Sequence, residues 1–450
     1  MITYQEFEFN SSSFTSNELK AIELMKEMLQ ICGEIFSKQF DSTRNVSTFY
    51  PEELSKDQIL SAAQENPAIT NPYTIVKRSG DNLMVVPYCI EYAQELKRIK
   101  DIAIKAADLI EEPNLKGYLI RLAKACEDDS WDDLENYWLT ITGNKLDLQL
   151  APIEGYLDEK LNIKHAFQGT LRVYSDSDLY NPSGYIETVK AINFSALHED
   201  NKVNAEFVIR VDDIIASGGN SAADPSISSN YPNDPEKVKA YGTKILIYAN
   251  NVVSRQRSTL LPILNKVIKP SILEKYTEDE YFASFVRNLM VHEVAEAFIK
   301  YSDSAKRLKD MNLPIQELHS SVVGLKLAAH HVLQGALSAK DYEAMLLTAF
   351  IGRGLFYFYK NEKNYSPNLV HYIKGYTLAL NYMKEKGALM IDQDTGLMDI
   401  DYPRAFACMD ELAKELDEIK AHGTDKEAAS LFAKYENYSI YEQFRHKLNA

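Results

Sequence analysis

Cysteine is scarce in this chain. Cys32, Cys89, Cys126 and Cys408 are spread over 450 residues without a single C-x-x-C pair. Such spacing excludes a disulfide-framed scaffold and a zinc knuckle, and leaves reduced thiols packed in the interior. Positive charge is also in short supply: 49 Lys and Arg stand against 65 Asp and Glu, a formal net charge of −16. General affinity for nucleic acid or an anionic membrane is thereby disfavoured, since both need clustered cations to displace counterions. No apolar run reaches the roughly 18 residues of a membrane-spanning helix. MITYQEFEFNSSS has no positive segment followed by an apolar core, as a secretion signal would. A soluble cytoplasmic protein is the expectation. Repeats of 20–50 residues are lacking too, and the one biased tract is a Ser/Asn-rich stretch after residue 216.

What is present is an ordinary globular balance, 45% hydrophobic and 25% charged. The length suits two or three domain-sized cores or one large two-lobed enzyme. Ser16 to about Phe40 repeats Leu19, Ile22, Leu29 and Ile35 at helical spacing behind a Ser/Asn cap. NPYTIVKRSGDNLMVVPY places two β-rich runs around Gly80-Asp81, a hairpin signal. Helices dominate to about residue 128. GTLRVYSD, AEFVIRV and KILIYAN are β-branched runs, and SGGNSAADPSISSNYPNDP reads as the longest loop. From Leu260 onward the chain is helical except for a small hairpin around Asp394-Thr395-Gly396. The expected organisation is a helical part over 1–150, a β-rich part over 151–258, a helical part over 259–387 that carries the candidate site, and a hairpin with helices over 388–450. The fold class is mainly α with a β-rich lobe, α+β, in two lobes about a central cleft.

One stretch combines helix signals with chemistry. In TEDEYFASFVRNLMVHEVAEAFIKY, Thr277 followed three residues later by Glu280 is a capping-box start, and no Pro or Gly interrupts the run. The 3,4 spacing traces a buried face through Phe282, Phe285, Leu289, His292, Glu296 and Ile299. Two ionisable groups thus occupy core-facing positions, where a carboxylate must be neutralised, hydrogen-bonded or coordinated to a cation. His292-Glu293-Val294-Ala295-Glu296 is the H-E-x-x-H pattern with Glu in place of the second His. In that pattern i and i+4 supply two metal ligands, and the Glu after the first ligand takes a proton from water. The bland alternative is a solvated or salt-bridged helix face.

A metal site needs a third protein ligand. After the polar SDSAKRLKDMN, Pro314 opens a second helix whose stripe is Leu318, Val322, Leu325, Ala329 and Val332. Glu317 lies at the edge of that stripe, and a short connector can bring it towards His292. His319 sits about 200° around the helix from Glu317 and should not share the metal. His330 and His331 read as packing or surface residues.

These motifs, taken in order, resemble the dipeptidyl peptidase III family and its shorter relatives, including the peptidase-like part of certain plant Nudix proteins. The resemblance covers most of the chain: FYPEEL with NPYTIVKRSGDNLMVVPY, APIEGYLDEKLNIKHAF at the family's E-x-Y-x-D segment, YPNDPEKVKAYGTK, LMVHEVAEAF, QELHSSVVGL at the E-E-x-x-A-D helix, and EKGALMIDQDTGLMDID. It implies that His292 and Glu317 are metal ligands, that Glu293 is the general base, and that Tyr156 hydrogen-bonds the tetrahedral intermediate. It also places His371, with a one-residue shift, near a histidine that assists the transition state. The departures are Glu296 in place of the second histidine, and Gln316 and Ser321 where that helix motif has carboxylates that orient the histidines.

A His, Glu, Glu set carries one more negative charge than His, His, Glu. It is harder, so manganese, iron or calcium compete more plausibly with zinc. The leading expectation is a zinc-dependent metallopeptidase that releases dipeptides from peptide amino termini. The other is a catalytically altered relative acting as a peptide-binding module, and a small-molecule hydrolase on the same scaffold is a third. Substrate would be a peptide or small molecule, with no nucleic acid and no membrane as partner.

Overall fold

The structure, a computed structural model, describes residues 1–175, 184, 185, 188, 207–232, 234–299, 301, 303–363 and 367–448. The expected strand run AEFVIRV is therefore described only from Phe207, and most of residues 176–206 lie outside the described residues. Contacts divide the chain into two units, residues 1–175 with 212–244 and residues 176–211 with 245–450.

The first unit is built from a long N-terminal helix laid on a sheet. Helix α1 (Ser16–Gln39) starts at Thr15, whose side chain accepts from the Glu18 amide while Glu18 accepts from the Thr15 amide. Its Ile22, Met25, Leu29, Cys32 and Phe36 are buried, the 3.6-residue stripe expected of a helix with one face on a core. Strand β1 (Tyr4–Glu6) precedes it, helix α2 (Ala93–Leu109) packs beside it, and helix α3 (Pro113–Asp128) packs on α2. The hairpin of β2 (Thr74–Ser79) and β3 (Asn82–Pro87) turns at Gly80, as the sequence signals.

The sheet comprises β4 (Leu146–Glu154), β5 (Ala166–Tyr174), β6 (Phe207–Gly219), β7 (Ser228–Tyr231) and β8 (Thr243–Tyr248), in the order β4-β5-β6-β8-β7, with β1 pairing to β6. β4 to β5 and β5 to β6 are antiparallel. Helix α1 approaches this sheet closely at Gly218, where an added Cβ would lie 2.2 Å from the Leu29 carbonyl oxygen. The Ser/Asn-rich stretch expected as a loop holds short elements instead: the end of β6, a helical turn over Asn220–Ala223, and β7. Its small polar residues hide strand pairing that is made by backbone groups. One buried charge cluster in this unit is matched: Arg172 meets Asp147 at 2.9 Å and Asp212 at 3.5 Å, and Lys244 meets Asp147 at 3.4 Å, as desolvated ions require.

Apart from residues 207–211 of β6 and 245–248 of β8, the second unit is mainly helical among the described residues, with one small hairpin of β9 (Leu389–Ile391) and β10 (Met398–Ile400). Helix α4 (Glu278–Phe298) carries the expected capping box at Thr277 and Glu280. It differs from expectation in being buried on every face from Tyr281 to Ala295, not along one stripe. Its polar residues find partners inside: Ser284 and Asn288 meet Thr348 at 2.9 and 2.8 Å, and Arg287 donates to Asp341 at 2.8 Å. Both acceptors come from helix α6 (Ala339–Leu347) and the turn after it, which helices α7 (Arg353–Lys363) and α8 (Pro367–Glu385) follow.

Helix α5 (Asn312–Leu333) packs on α4. Residue numbers rise on one helix as they fall on the other, with 296 facing 316, 292 facing 321 and 291 facing 324, so the two run antiparallel. On the far side of α5 lies helix α9 (Tyr402–His422), and a buried polar group joins the two. His319 meets Asp417 at 2.9 Å and Lys420 at 3.2 Å, Tyr301 donates to Asp417 at 2.8 Å, and Lys420 donates to the Ile299 carbonyl at 2.9 Å. His319 therefore faces away from Glu317, as its position on the helix requires. All four cysteines are free thiols, three of them buried. Among the described residues no helix is long and apolar enough to cross a membrane.

Candidate metal-binding and catalytic site

The i,i+4 spacing on α4 puts His292 and Glu296 on one side, and α5 brings Glu317 to them. His292 Nε2 lies 3.4 Å from Glu317 Oε2 and 3.7 Å from Glu296 Oε2. Its other ring nitrogen, Nδ1, is 3.0 Å from Ser321 Oγ. Gln316 Nε2 donates to the second Glu296 oxygen, Oε1, at 2.5 Å. Glu317 Oε2 is buried and accepts no hydrogen bond; its approach to the imidazole is an ion-pair contact without hydrogen-bond alignment.

Burial alone would push the His292 pKa down, but Glu317 first, then Glu293 and Glu296, outweigh it and raise it to about 9. Burial pushes Glu317 the other way, and the His292 charge prevails, holding this carboxyl below its usual range. The imidazole is thus a cation at neutral pH, with Nδ1–H pointing to Ser321 and Nε2 facing the two carboxylates as an ion pair. A raised folded pKa means that the folded state holds a proton the unfolded state releases. The stability so contributed is complete below about pH 6.5 and is lost as pH rises towards 9, an effect of at most about 3 kcal/mol. Chelator-treated protein should therefore show a urea midpoint that falls between pH 6.5 and 9, and His292→Gln should flatten that slope. A wild-type midpoint that stays level over this range would contradict the ion pair.

Do these donors suit a metal? Among the described residues no group of three or more His, Cys, Asp or Glu side chains stands gathered as a metal site. The chemistry of the set nevertheless fits. An imidazole nitrogen faces two carboxylates, and one buried carboxylate oxygen is without a hydrogen bond. Ligands at 2.0–2.2 Å from a tetrahedral ion lie roughly 3.3–3.6 Å from one another; the 3.4 Å separation of Nε2 from Glu317 falls in that range and the 3.7 Å separation from Glu296 lies just beyond it.

Glu293, the expected general base, is buried on α4 beside His292. His371 lies on helix α8 (Pro367–Glu385), half-buried, its ring 4.2 Å from that of Tyr372. Burial lowers the His371 pKa while the Glu317 charge opposes it, so His371 belongs to the neighbourhood of Glu317. Tyr372 does too: burial, then Glu317, and further down Glu296, raise its phenol pKa. Sequence reasoning passed over Tyr372, although its place beside His371 was the available signal. It also read Gln316 and Ser321 only as lost acids, whereas both hydrogen-bond candidate ligands.

Tyr156 belongs to the first unit and follows β4 in a turn, with 68% of its surface exposed. Asp158 shapes that turn by accepting from the amides of Lys160, Leu161, Ile163 and Lys164 at 3.0–3.2 Å and from the Tyr50 hydroxyl at 3.2 Å. Burial pushes the nearby Glu154 carboxyl up to about 7.

No protein-family model matches the chain. Nudix hydrolase 3 of Arabidopsis thaliana is 23% identical over 423 residues, 86% of this chain; the chain spans about half, 53%, of that relative's length. The structure of dipeptidyl peptidase III from Caldithrix abyssi superposes with a TM-score of 0.85 over 99% of this chain and 95% of the other, at 19% identity. The chain has the dipeptidyl peptidase III fold. A second dipeptidyl peptidase III, from Corallococcus sp. strain EGB, matches at a TM-score of 0.66 and 19% identity, covering 99% of this chain and 92% of that one. The α+β reading of the sequence, mainly helical with a sheet-containing part, is thus that of the dipeptidyl peptidase III fold.

Proposed function

We propose that the protein is a metal-dependent peptidase of the dipeptidyl peptidase III type, releasing dipeptides from the amino termini of peptides. The fold supports a peptidase-like hydrolase. The observation that carries the finer reading is the meeting of His292 with Glu296 and Glu317 at one imidazole nitrogen. These three would hold the ion, zinc or, given two carboxylates, manganese or iron. When bound, it supplies Lewis acidity towards a peptide carbonyl.

The chain's own groups do the rest. Glu293 accepts the proton of the attacking water and returns it to the leaving amine, the usual double duty of a carboxylate beside a metal ligand. Ser321 keeps Nδ1 of His292 occupied, so that Nε2 is the nitrogen presented to the ion. Tyr156 keeps the role that the resemblance implies, a phenol donating to the developing oxyanion, and its exposed side chain is open to a substrate. His371 and Tyr372 add hydrogen-bonding groups beside Glu317.

The test is amino-terminal dipeptide release from unstructured peptides, followed by mass spectrometry, with zinc, manganese, iron(II) and cobalt supplied separately. The expected products are dipeptides from peptides with a free amino terminus and none from acetylated ones. Absence of hydrolysis with every ion would remove the peptidase reading.

A further inference from the structure

Two residues of α5 touch candidate ligands without being ligands, and one of them carries an inference that the proposed function does not contain. Glu296 is half-buried and presents two oxygens in different directions. Oε1 accepts from the Gln316 amide at 2.5 Å, which leaves Oε2 as the oxygen that faces His292 Nε2. An ionised carboxylate only accepts hydrogen bonds. Residue 316 must therefore donate, and a carboxamide does so without adding charge. The charge balance around it is already uneven, because Glu293, Glu296 and Glu317 all act on the single imidazole. A fourth carboxylate within hydrogen-bonding distance of Glu296 would push that side chain away from the imidazole.

The arrangement on α5 is economical. Glu317 is a candidate ligand, Gln316 one residue before it orients Glu296, and Ser321 four residues after it, on the same face, orients His292. Each of the two residues that α4 contributes thus has its own partner on α5, and the two partners differ in kind.

We propose that Gln316 is a positioning residue: its amide N–H fixes the rotamer in which Glu296 serves as a cation ligand, and residues 296 and 316 work as a matched pair. A donor at 316 belongs with a carboxylate at 296, and a carboxylate at 316 belongs with an imidazole at 296, whose second N–H would donate to it. The inference rests on the metal-dependent reading above and specifies how the site is tuned.

The experiment is a double-mutant cycle read by ion affinity, not by turnover. Wild type, Gln316→Glu, Glu296→His and the double variant are stripped with chelator and titrated calorimetrically with zinc and with manganese. Groups that orient a ligand are worth roughly 10- to 100-fold in metal affinity. In the wild-type background Gln316→Glu should weaken both ions by that factor. In the Glu296→His background the same substitution should tighten zinc by about tenfold or more, so the sign of its effect reverses. Gln316→Met, which keeps the length and removes the N–H without adding charge, should weaken binding about tenfold in the wild-type background. It also decides the matter if Glu296→His does not fold. Constants within twofold of wild type for Gln316→Glu and Gln316→Met, or a change of the same sign in both backgrounds, would overturn the pairing alone. A wild type that binds neither ion would overturn the metal-dependent reading together with it.

Discussion

Glu293→Gln is expected to lower peptide hydrolysis about 100- to 10,000-fold, the usual worth of a positioned general base, with ion affinity changed much less. Glu293 follows His292 directly and is buried on α4. The amide keeps the size of the side chain and removes its ability to take a proton. One consequence separates this from simple damage. The Glu293 charge also helps to hold the proton on His292, so the metal-free variant should lose that proton at lower pH than wild type. Calorimetric ion titration and a histidine NMR titration check the two halves. Turnover within tenfold of wild type would remove Glu293 from the chemistry.

The second large effect comes from a residue with no functional group. Gly324 on α5 faces α4 where the candidate ligands are held, and a Cβ there would lie 2.8 Å from the Val291 carbonyl carbon and oxygen and 3.0 Å from the His292 nitrogen. These are backbone atoms, which no rotamer change can move, so Gly324→Ala must push the helices apart. Overpacking of this kind costs about 1–3 kcal/mol, or a fall of roughly 2–12 °C in the melting temperature of a unit this large. The same displacement moves Ser321 and Glu317 away from His292, so ion affinity should fall with stability. Gly352→Ala is the comparison, since its Cβ would meet its nearest neighbour at an ordinary 3.5 Å. A Gly324→Ala protein that melts within 1 °C of wild type and binds ions normally would show that the helices have slack here.

Much of this site could be read from sequence because it depends on short-range rules. The capping box of α4 is a pattern over four residues, the His292 and Glu296 pair is a pattern over five, and a polar connector followed by Pro314 announces a neighbouring helix. What escaped depends on partners far along the chain. The 3,4 spacing traced a single buried face on α4, yet Ser284, Arg287 and Asn288 outside that face are buried too, met by Asp341 and Thr348 from 54 to 64 residues away. Gln316 and Ser321 were legible as departures from a motif but not as hydrogen-bonding partners, because spacing shows which face a side chain occupies and not what it meets. The sheet in place of the Ser/Asn loop escaped for a related reason: β7 is held by backbone pairing that side-chain composition does not record.

The group formed by His319, Asp417, Lys420 and Tyr301 bears on the route by which the second unit comes apart. Its bonds join residues 98 to 121 positions apart in the chain, so none can form until long loops have closed. Each member is buried, and a desolvated charge with one partner missing is costly, so the group is complete only when α5, α9 and the chain leaving α4 have all docked. The end of α4 is tied to this group through the Ile299 carbonyl, so releasing the helix that bears His292 and Glu296 means breaking bonds that span about a hundred residues of chain and leaving buried charge unpaired.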